Sequence, residues 1–465
     1  MAGAADPAGP APYPPRVAVI GAGPAGLYTT AALLDGDPDV HVDVLDRLPA
    51  PYGLVRYGVA PDHLKMKSVI RALAGTFDHA DRVRFLGNVP VGEHGVPAEV
   101  LRVHYHAVVH ATGSAIDRDL GVPGEELTGS VGSGEFVSWY CGHPDAAGPG
   151  PALDHPGAVV VGAGNVALDV ARILTRPADD LAATDAHDAV LEALRRSAIT
   201  DVHVLVRRDP EHARFTPAEL RALPGITGVE IDVDDDHALD EPVPPEDDRR
   251  TRQNLETLTD WRDHPPGAGG RRHLHLHFLR RPVRLLDDGT GRVGRVEIER
   301  TEMTPDGGVR GTGELSVLDA GLVVRAVGHV AEPVPGLPFD AATGTVPHVA
   351  GRVVLGGEPV RGSYVAGWLK RGPTGVIGTN KHDGTETAQS VLADLPGLAA
   401  PPRPGGDAVP ERLRALGIEP VAWSDWLRLD DAERALGAAR GGTERVKIAE
   451  WDAMLDAARG PRDRT

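Results

Sequence analysis

Two glycine-rich turns, each between a strand-like and a helix-like segment, constrain this chain of 465 residues more than any other feature. The first turn reads Gly21-Ala22-Gly23-Pro24-Ala25-Gly26, and the second reads Gly162-Ala163-Gly164-Asn165-Val166-Ala167. Glycine permits the tight turn from strand to helix and lets the helix amides approach a pyrophosphate closely. One such pattern alone is weak evidence, but here both turns stand in the expected strand and helix context. The sequence therefore predicts two βαβ units that each bind a dinucleotide.

The residues that end the next strand differ between the two units. Asp46 stands 20 residues after Gly26, where a carboxylate accepts hydrogen bonds from ribose hydroxyls. In the second unit, the strand-like stretch 201–206 is followed by Arg207 and Arg208. Two guanidinium groups suit a 2′-phosphate, which a carboxylate would repel. We therefore expect FAD in the first unit and NADP(H) in the second.

The order of the segments predicts an α/β fold of two Rossmann-like dinucleotide-binding domains, with the NADP domain inserted into the FAD domain. The expected parts are a disordered N-terminus over 1–15, an FAD domain over 16–115 and 329–465 with a helical tail from 401, and an NADP domain over 116–328. Local patterns further predict a helix over 62–77, exposed loops and short helices rather than a core over 228–270, antiparallel strands over 273–314 and two helices over 410–460.

Composition excludes several classes of protein. The net charge of −19 argues against broad nucleic-acid binding and against attachment to an anionic membrane. No stretch has the roughly 18 apolar residues of a spanning helix, and the N-terminal residues lack a secretory signal, so we expect a cytoplasmic protein. The single cysteine, Cys141, excludes an internal disulfide and a Cys-ligated iron–sulfur cluster. Any redox chemistry must use a bound cofactor.

Longer motifs carry a specific resemblance. In addition to the two glycine turns with their flanking segments, they are PYGLVRYGVAPDH over 51–63 and AGWLKRGPTGVIG over 366–378. Together these stretches resemble the adrenodoxin reductase type of ferredoxin–NADP reductase, and the resemblance runs from Arg16 to about Leu455. It implies a hydride transfer between NADPH and FAD that is coupled to one-electron transfer with a ferredoxin, an EC 1.18.1 type of activity.

The resemblance also implies the residues that contact each cofactor. For FAD these are Gly21, Ala22, Gly23, Gly26, Asp46, Leu54 and Val89, with Trp368 beside the flavin and Gly375, Val376 and Ile377 under it. For NADP(H) they are Arg118, Asn165, Val166, Ala167, Leu168, Arg207, Arg208, Glu219 and Gly375. The family has Glu at the ribose position, where this chain has Asp46, which is one methylene shorter.

Two features bear on the chemistry itself. Gly375 to Gly378 precede a helix whose N-terminal partial positive charge would stabilise a reduced, anionic flavin. His63 is the candidate catalytic residue, positioning the nicotinamide or relaying a proton, and the alternative is a structural histidine bonded to backbone. Other possible functions are an electron-input subunit similar to the small chain of glutamate synthase, a flavin monooxygenase, and a nucleotide-binding module without turnover.

Several conspicuous residues have simpler interpretations. His273, His275 and His277 share one face of a strand-like stretch, and we expect them to be exposed and to bind no metal, because no carboxylate or fourth ligand is evident. We expect the acidic run 232–236 to be a solvated loop and Cys141 to be unreactive. The largest basic cluster, which could dock an acidic ferredoxin, comprises Arg249, Arg250, Arg252, Arg271 and Arg272.

Overall fold

The computed structural model describes residues 13–92, 95–240, 248–267, 269–402 and 408–460. Most of the predicted disordered N-terminus, residues 1–12, and parts of the predicted tail, 403–407 and 461–465, lie outside this range. The first segment of the chain contains β1 (Arg16–Ile20), α1 (Pro24–Gly36), β2 (His41–Leu45), α2 (Leu54–Tyr57), α3 (Leu64–Lys67), α4 (Val69–Ala74), β3 (Val83–Leu86), α5 (Ala98–Arg102) and β4 (Ala107–His110).

The middle segment contains a second set of alternating strands and helices. These elements are β5 (Ile116–Asp117), β6 (Ser130–Gly132), α6 (Ser133–Tyr140), β7 (Gly157–Val161), α7 (Asn165–Thr175), α8 (Ala178–Leu181), α9 (Asp188–Arg195), β8 (Asp201–Val206), α10 (Pro217–Ala222), β9 (Val229–Asp234), α11 (Arg249–Asp263), β10 (Arg272–Phe278), β11 (Arg280–Asp287), β12 (Val293–Met303), β13 (Val309–Asp319) and β14 (Leu322–Arg325).

The last segment returns to the first sheet and then becomes helical. It contains β15 (His329–Val330), β16 (His348–Val349), β17 (Arg352–Leu355), β18 (Glu358–Val365), α12 (Trp368–Arg371), α13 (Thr379–Asp394), α14 (Ala408–Ala415), α15 (Trp423–Arg440) and α16 (Trp451–Arg459). The part of the tail that is described therefore has three helices, and the prediction of two was wrong.

Two sheets organise these elements. The first has seven strands in the order β16-β17-β18-β4-β1-β2-β3, and its strands from β18 to β3 are parallel. The second has six parallel strands in the order β6-β14-β7-β8-β10-β9. The first sheet takes strands from both ends of the chain, and the second takes strands only from between them. The predicted fold, with one Rossmann-like unit inserted into another, is confirmed.

Burial explains why the central strands have nearly continuous apolar sequences. Every residue of β7 is buried, and four of the five residues of β1 and of β2 are buried. Helices cover both faces of a parallel sheet, so its inner strands need apolar residues on both sides. α1 and α13 pack closely together, since a methyl group at Gly384 would lie 2.8 Å from the amide nitrogen of Thr29.

Two further local predictions were correct only in part. The stretch 62–77 is helical from Leu64 onward, but it is divided into α3, α4 and a 3-10 turn. The stretch 228–270, where we expected exposed loops and short helices rather than a core, contains β9 and the 15-residue helix α11. α11 buries Leu255, Leu258 and Trp261 along one face and begins at Asp248, whose carboxylate accepts hydrogen bonds from the first turn.

The prediction for residues 273–314 was correct only in part. β11, β12 and β13 form an antiparallel sheet, but β10 is parallel to its neighbours β8 and β9. The alternating sequence of β10 reflects a strand that is apolar on one face and polar on the other, which occurs in either orientation.

Buried ion pairs connect the C-terminal segment, α15 and the loop that follows it, to residues of both units. Glu433 of α15 is fully buried and lies 2.5 Å from Arg56 of α2, and Glu433 also accepts a hydrogen bond from the amide of Ile448. Lys447 and Lys67 both contact Asp185 of the second unit, at 3.1 and 2.6 Å. The tail is therefore part of the joint between the two units.

We predict that Glu433→Gln destabilises the protein, because it leaves the Arg56 charge buried without its partner. Breaking a buried ion pair on one side costs about 3–5 kcal/mol. The urea concentration at the midpoint of unfolding should fall well below that of the parent. Asp431→Asn, an exposed change in the same helix, is the matched control. Equal midpoints for the two variants would contradict the prediction.

Candidate active site

The first glycine turn joins β1 to α1, and two of its glycines lie where a side chain has no space. A methyl group at Gly21 would lie 2.4 Å from the carbonyl oxygen of Ala111, and one at Gly26 would lie 1.9 Å from that of Gly21. A methyl group at Gly23 meets only Gly53, at 3.9 Å. Gly21 and Gly26 therefore serve close packing, while Gly23 leaves room beside the N-terminus of α1 for a phosphate.

Asp46 is held directly against this turn. Its Oδ2 accepts a hydrogen bond from the amide of Ala22 at 2.7 Å, and its Oδ1 accepts one from Leu48 at 2.9 Å. Burial raises the pKa of Asp46, and the two amide hydrogen bonds oppose that effect. Each carboxylate oxygen keeps further acceptor capacity for a ribose hydroxyl. Both oxygens of this shorter side chain thus lie against backbone amides of the first unit.

Two of the remaining predicted FAD residues, Leu54 and Trp368, follow glycines that lie against the start of α1. Gly53, which precedes Leu54, approaches Gly23, and Gly367, which precedes Trp368, approaches Ala25. The amide of Val89 donates to the carbonyl of Asp46 at 2.8 Å, although the Val89 side chain is buried in the core. Leu54 and Val376 are exposed apolar side chains, 47 % and 64 % accessible. A planar apolar group such as an isoalloxazine ring would cover such side chains.

The second glycine turn repeats the geometry of the first. A methyl group at Gly162 would lie 2.3 Å from the carbonyl oxygen of Ala326, whereas one at Gly164 would meet nothing within 4 Å. Asn165 begins α7, and its Oδ1 accepts a hydrogen bond from the amide of Thr216. Of the next residues, Val166 is exposed, while Ala167 and Leu168 are buried and could contact a ligand only through their amides.

Arg207 and Arg208 follow β8 at the same edge of the second sheet. Their carbonyl oxygens are fixed by hydrogen bonds from Thr301 and Leu279. Among the described residues neither guanidinium forms an ion pair, and the buried Nε of Arg208 has no hydrogen-bond partner. An unsatisfied buried donor next to a second arginine fits a phosphate ligand. These residues therefore fit the 2′-phosphate of NADP(H).

His63 lies between the two units. Its Nε2 is 2.9 Å from Asp169 of α7 and 3.2 Å from Glu219 of α10, while His63 itself precedes α3 of the first unit. The guanidinium of Arg172 also lies 2.5 Å from this nitrogen. The two carboxylates nevertheless have the largest effect on the pKa of His63. Hydrogen bonds to Asp169 and then Glu219 raise the pKa of His63 to about 9, against the opposing effect of burial.

A network of charges supports this histidine. Arg172 is 3 % exposed and pairs with both Asp169 and Asp62, and Arg176 lies 3.5 Å from Asp62. Asp169, Glu219 and His63 are close enough to ligate a metal ion, but the guanidinium of Arg172 already supplies a cation at the shared atoms. Asp169 and Arg172 were not among the predicted site residues. The sequence pattern that could have identified them is an acidic and a basic residue three positions apart on α7, the helix that follows the second glycine turn.

Arg118 lies on the strand pair that links the two units. Its amide donates to the carbonyl of Gly328 at 3.0 Å, and its side chain is exposed. Trp368 is partly buried, and its ring lies 6.5 Å from that of His329. Glu219, which we predicted as an NADP contact, is paired with His63 in this structure.

The three histidines of β10 do not form an exposed face, contrary to the prediction. They are partly buried and stack in a row that also includes His203. Asp232 lies 2.5 Å from His275, and Asp234 lies 3.2 Å from His277, so the acidic run belongs mainly to β9 rather than to a loop. Parallel pairing of β9 with β10 places each aspartate opposite a histidine.

The predicted basic cluster is not a single surface. Arg249, Arg250 and Arg252 lie in the first turn of α11, which is about 22 Å long, whereas Arg271 and Arg272 follow its other end in the sequence. Arg272 donates to the carbonyl oxygens of Thr175 and Arg176.

Cys141 is buried, and burial raises the pKa of its thiol, so its predicted lack of reactivity has a physical basis.

Known proteins are similar to this chain over nearly its whole length. The sequence profile of the pyridine nucleotide-disulphide oxidoreductases matches residues 15–222. NADPH-ferredoxin reductase FprA of Mycobacterium tuberculosis is 41 % identical over 460 residues, which cover 95 % of this chain and 98 % of that protein. Mitochondrial NADPH:adrenodoxin oxidoreductase of Homo sapiens is 41 % identical over 463 residues, which cover 95 % and 91 %.

A solved structure matches the fold as well. FprA from Mycobacterium tuberculosis in complex with NADPH superposes with a TM-score of 0.89 at 39 % identity, covering 96 % of this chain and all of the other. Within the described residues, no helix combines the length and the apolar character needed to cross a bilayer. The shared fold and the 41 % identity over 95 % of the chain establish that it belongs to the adrenodoxin reductase type of ferredoxin–NADP reductases.

Proposed function

We propose that this chain is an FAD-dependent ferredoxin–NADP(+) reductase, which transfers a hydride between NADPH and FAD and single electrons between FAD and a ferredoxin. The observation that carries the proposal is the division of charge between two equivalent sites. A carboxylate, Asp46, accompanies the first glycine turn, and an arginine pair without carboxylate partners among the described residues accompanies the second. Bound FAD supplies the ability to accept a hydride and to release electrons singly.

In this proposal the FAD domain comprises residues 16–115 and 329–465. The amides at the start of α1 bind the pyrophosphate of FAD, and Asp46 accepts hydrogen bonds from its ribose. Leu54, Trp368 and the stretch Gly375 to Ile377 surround the flavin. The N-terminus of α13 directs its partial positive charge toward the ring.

The NADP domain comprises residues 116–328. Asn165 and the amides up to Leu168 bind the pyrophosphate of NADP(H), Arg207 and Arg208 bind its 2′-phosphate, and Arg118 and Glu219 complete the contacts. The guanidinium forks offer bidentate, charge-assisted hydrogen bonds, which a ribose without the phosphate cannot use. Specificity for NADPH over NADH follows from this pair.

His63 is the proposed catalytic residue. With a pKa of about 9 it is protonated at neutral pH and carries its charge between the two units. Asp169 and Glu219 hold the imidazolium through ion pairs to its Nε2. We propose that it positions the nicotinamide and holds a proton there.

A cytoplasmic location of the protein remains a prediction from the sequence.

The proposed docking surface for ferredoxin is the first turn of α11, with Arg249, Arg250 and Arg252. All three side chains are exposed on a chain that is otherwise strongly acidic. Ferredoxin of acidic surface charge would be attracted to this turn and repelled elsewhere, which favours productive encounters at low ionic strength.

Removing the arginine pair should change cofactor preference. Arg207→Ala with Arg208→Ala should lower kcat/KM for NADPH by about 100-fold, since each charge-assisted hydrogen bond contributes about 1.5 kcal/mol or more. The value for NADH should stay within about twofold. Arg295→Ala, an exposed change in β12, is the control. Equal losses for both nucleotides would refute the assignment of the pair to the 2′-phosphate.

The His63 charge should set a pH dependence. The pKa of His63 in the folded protein, about 9, lies above its ordinary value of 6.5. The stabilisation from its ion pairs is therefore complete below pH 6.5 and is lost as the pH rises through 9. In Glu219→Gln the pKa of His63 should fall, because one of its two carboxylate partners is lost. The pH at which the rate of flavin reduction by NADPH changes should therefore move to a lower value. The profile would be measured by stopped flow, and an unshifted profile would contradict this role for Glu219.

Charge reversal on α11 should affect only the ferredoxin reaction. Arg249→Glu with Arg250→Glu should raise KM for an acidic ferredoxin about tenfold at low salt, and less at high salt. Reduction of ferricyanide by NADPH should not change. Arg271→Glu, beyond the far end of the same helix, is the matched control. If Arg271→Glu had the larger effect, the docking surface would lie elsewhere.

A further inference from the structure

The two passes of the chain between the sheets pair with each other. β5 and β15 form an antiparallel ribbon in which Asp117 is opposite His329 and Ile116 is opposite Val330. The amide of Arg118 extends the ribbon by donating to Gly328. Both segments of the chain that connect the two units run through this ribbon. A movement of one unit relative to the other would therefore change the conformation of the ribbon or of its ends.

Asp117 binds this ribbon to the second unit. Its Oδ1 accepts hydrogen bonds from the amide of Gly134 at 2.8 Å and from Ser133 Oγ at 3.2 Å, and its Oδ2 accepts one from the amide of Glu135 at 3.3 Å. These groups form the first turn of α6. A methyl group at Gly132 would lie 2.0 Å from Oδ2, so the approach of the carboxylate requires glycine there.

The carboxylate also binds His329. Nε2 of His329 lies 3.2 Å from Asp117 Oδ1, and the two side chains are 16 % and 13 % exposed. Burial by itself would raise the pKa of Asp117, but the hydrogen bonds from His329 and from the amides of α6 outweigh it and hold this pKa below its ordinary value. Asp117 therefore remains an anion that fixes one edge of the imidazole.

The other side of the imidazole meets Trp368. The two ring centroids are 6.5 Å apart and the planes are inclined by 24°, within the range of offset aromatic stacking. Trp368 begins α12 directly after the last strand of the first sheet. A continuous series of contacts thus runs from α6 of the second unit through Asp117 and His329 to Trp368 of the first.

We propose that Asp117 and His329 are positioning residues for hydride transfer, which fix the indole of Trp368 relative to the nucleotide-binding unit. The proposal rests on the proposed function, in which Trp368 lies beside the flavin. The indole of Trp368, held in place by contacts to the second unit, would define the space that the nicotinamide enters. A displacement of the reacting groups by about 1 Å can slow a reaction about 100-fold.

The test compares Asp117→Asn, which weakens the pair, with His329→Phe, which keeps an aromatic ring but loses the donor. In each variant the rate of flavin reduction at saturating NADPH should fall about tenfold. The dissociation constant of NADP⁺ should change less than about twofold, because the phosphate contacts are intact. The double variant should be no slower than either single one, since both break the same link. Asp119→Asn, which is exposed, should behave like the parent.

A second readout does not depend on turnover. The near-ultraviolet circular dichroism of Trp368, obtained by subtracting the spectrum of Trp368→Phe in each background, should change in both variants. Unchanged dichroism, or parallel losses of rate and of NADP⁺ affinity, would overturn the proposal in favour of a merely structural pair. If NADPH does not reduce the flavin of the parent, the proposed function fails, and the dichroism alone then decides whether His329 holds Trp368.

Discussion

The close approach of backbone to backbone at two glycines underlies the whole arrangement. Gly21 and Gly162 each lie where a strand turns into a helix against the carbonyl group of a neighbouring strand end, Ala111 in one unit and Ala326 in the other. With any side chain at these positions the helix could not start so close to the sheet. The helix N-termini would then no longer face the crevice at the strand ends, where an open parallel sheet binds its ligand. Both nucleotide sites depend on that placement.

In the proposed function, local charge determines which cofactor each of the two equivalent turns takes. Asp46 is neutralised in part by amides and offers only acceptors, whereas Arg207 and Arg208 offer donors to a phosphate. The joint between the units is charged as well. His63 bonds to carboxylates of the second unit, and Lys67 and Lys447 meet at Asp185. Because these pairs are largely buried, losing one partner would be costly, and they hold the two turns in a defined relation.

Much of this could be predicted from sequence, and the reasons for the failures are physical. The strand 201–206 has the expected bounds, and four of its six residues are buried. β9 was missed because its acidic residues resemble a loop until β10 is placed beside it, where His275 and His277 pair with them. The partners of His63 lie more than a hundred residues away, and no local pattern connects them. The separation of Arg249 from Arg271 follows from a helix that Pro-rich flanking sequence concealed.

Anaerobic mixing of the purified yellow protein with NADPH, followed by addition of an oxidised ferredoxin, tests the central claim most directly. The account predicts that NADPH bleaches the flavin much faster than NADH does, and that the ferredoxin is then reduced. Bleaching without transfer to any of several ferredoxins would contradict the proposed reductase function. A purified protein without bound flavin would contradict the cofactor assignment on which that function rests.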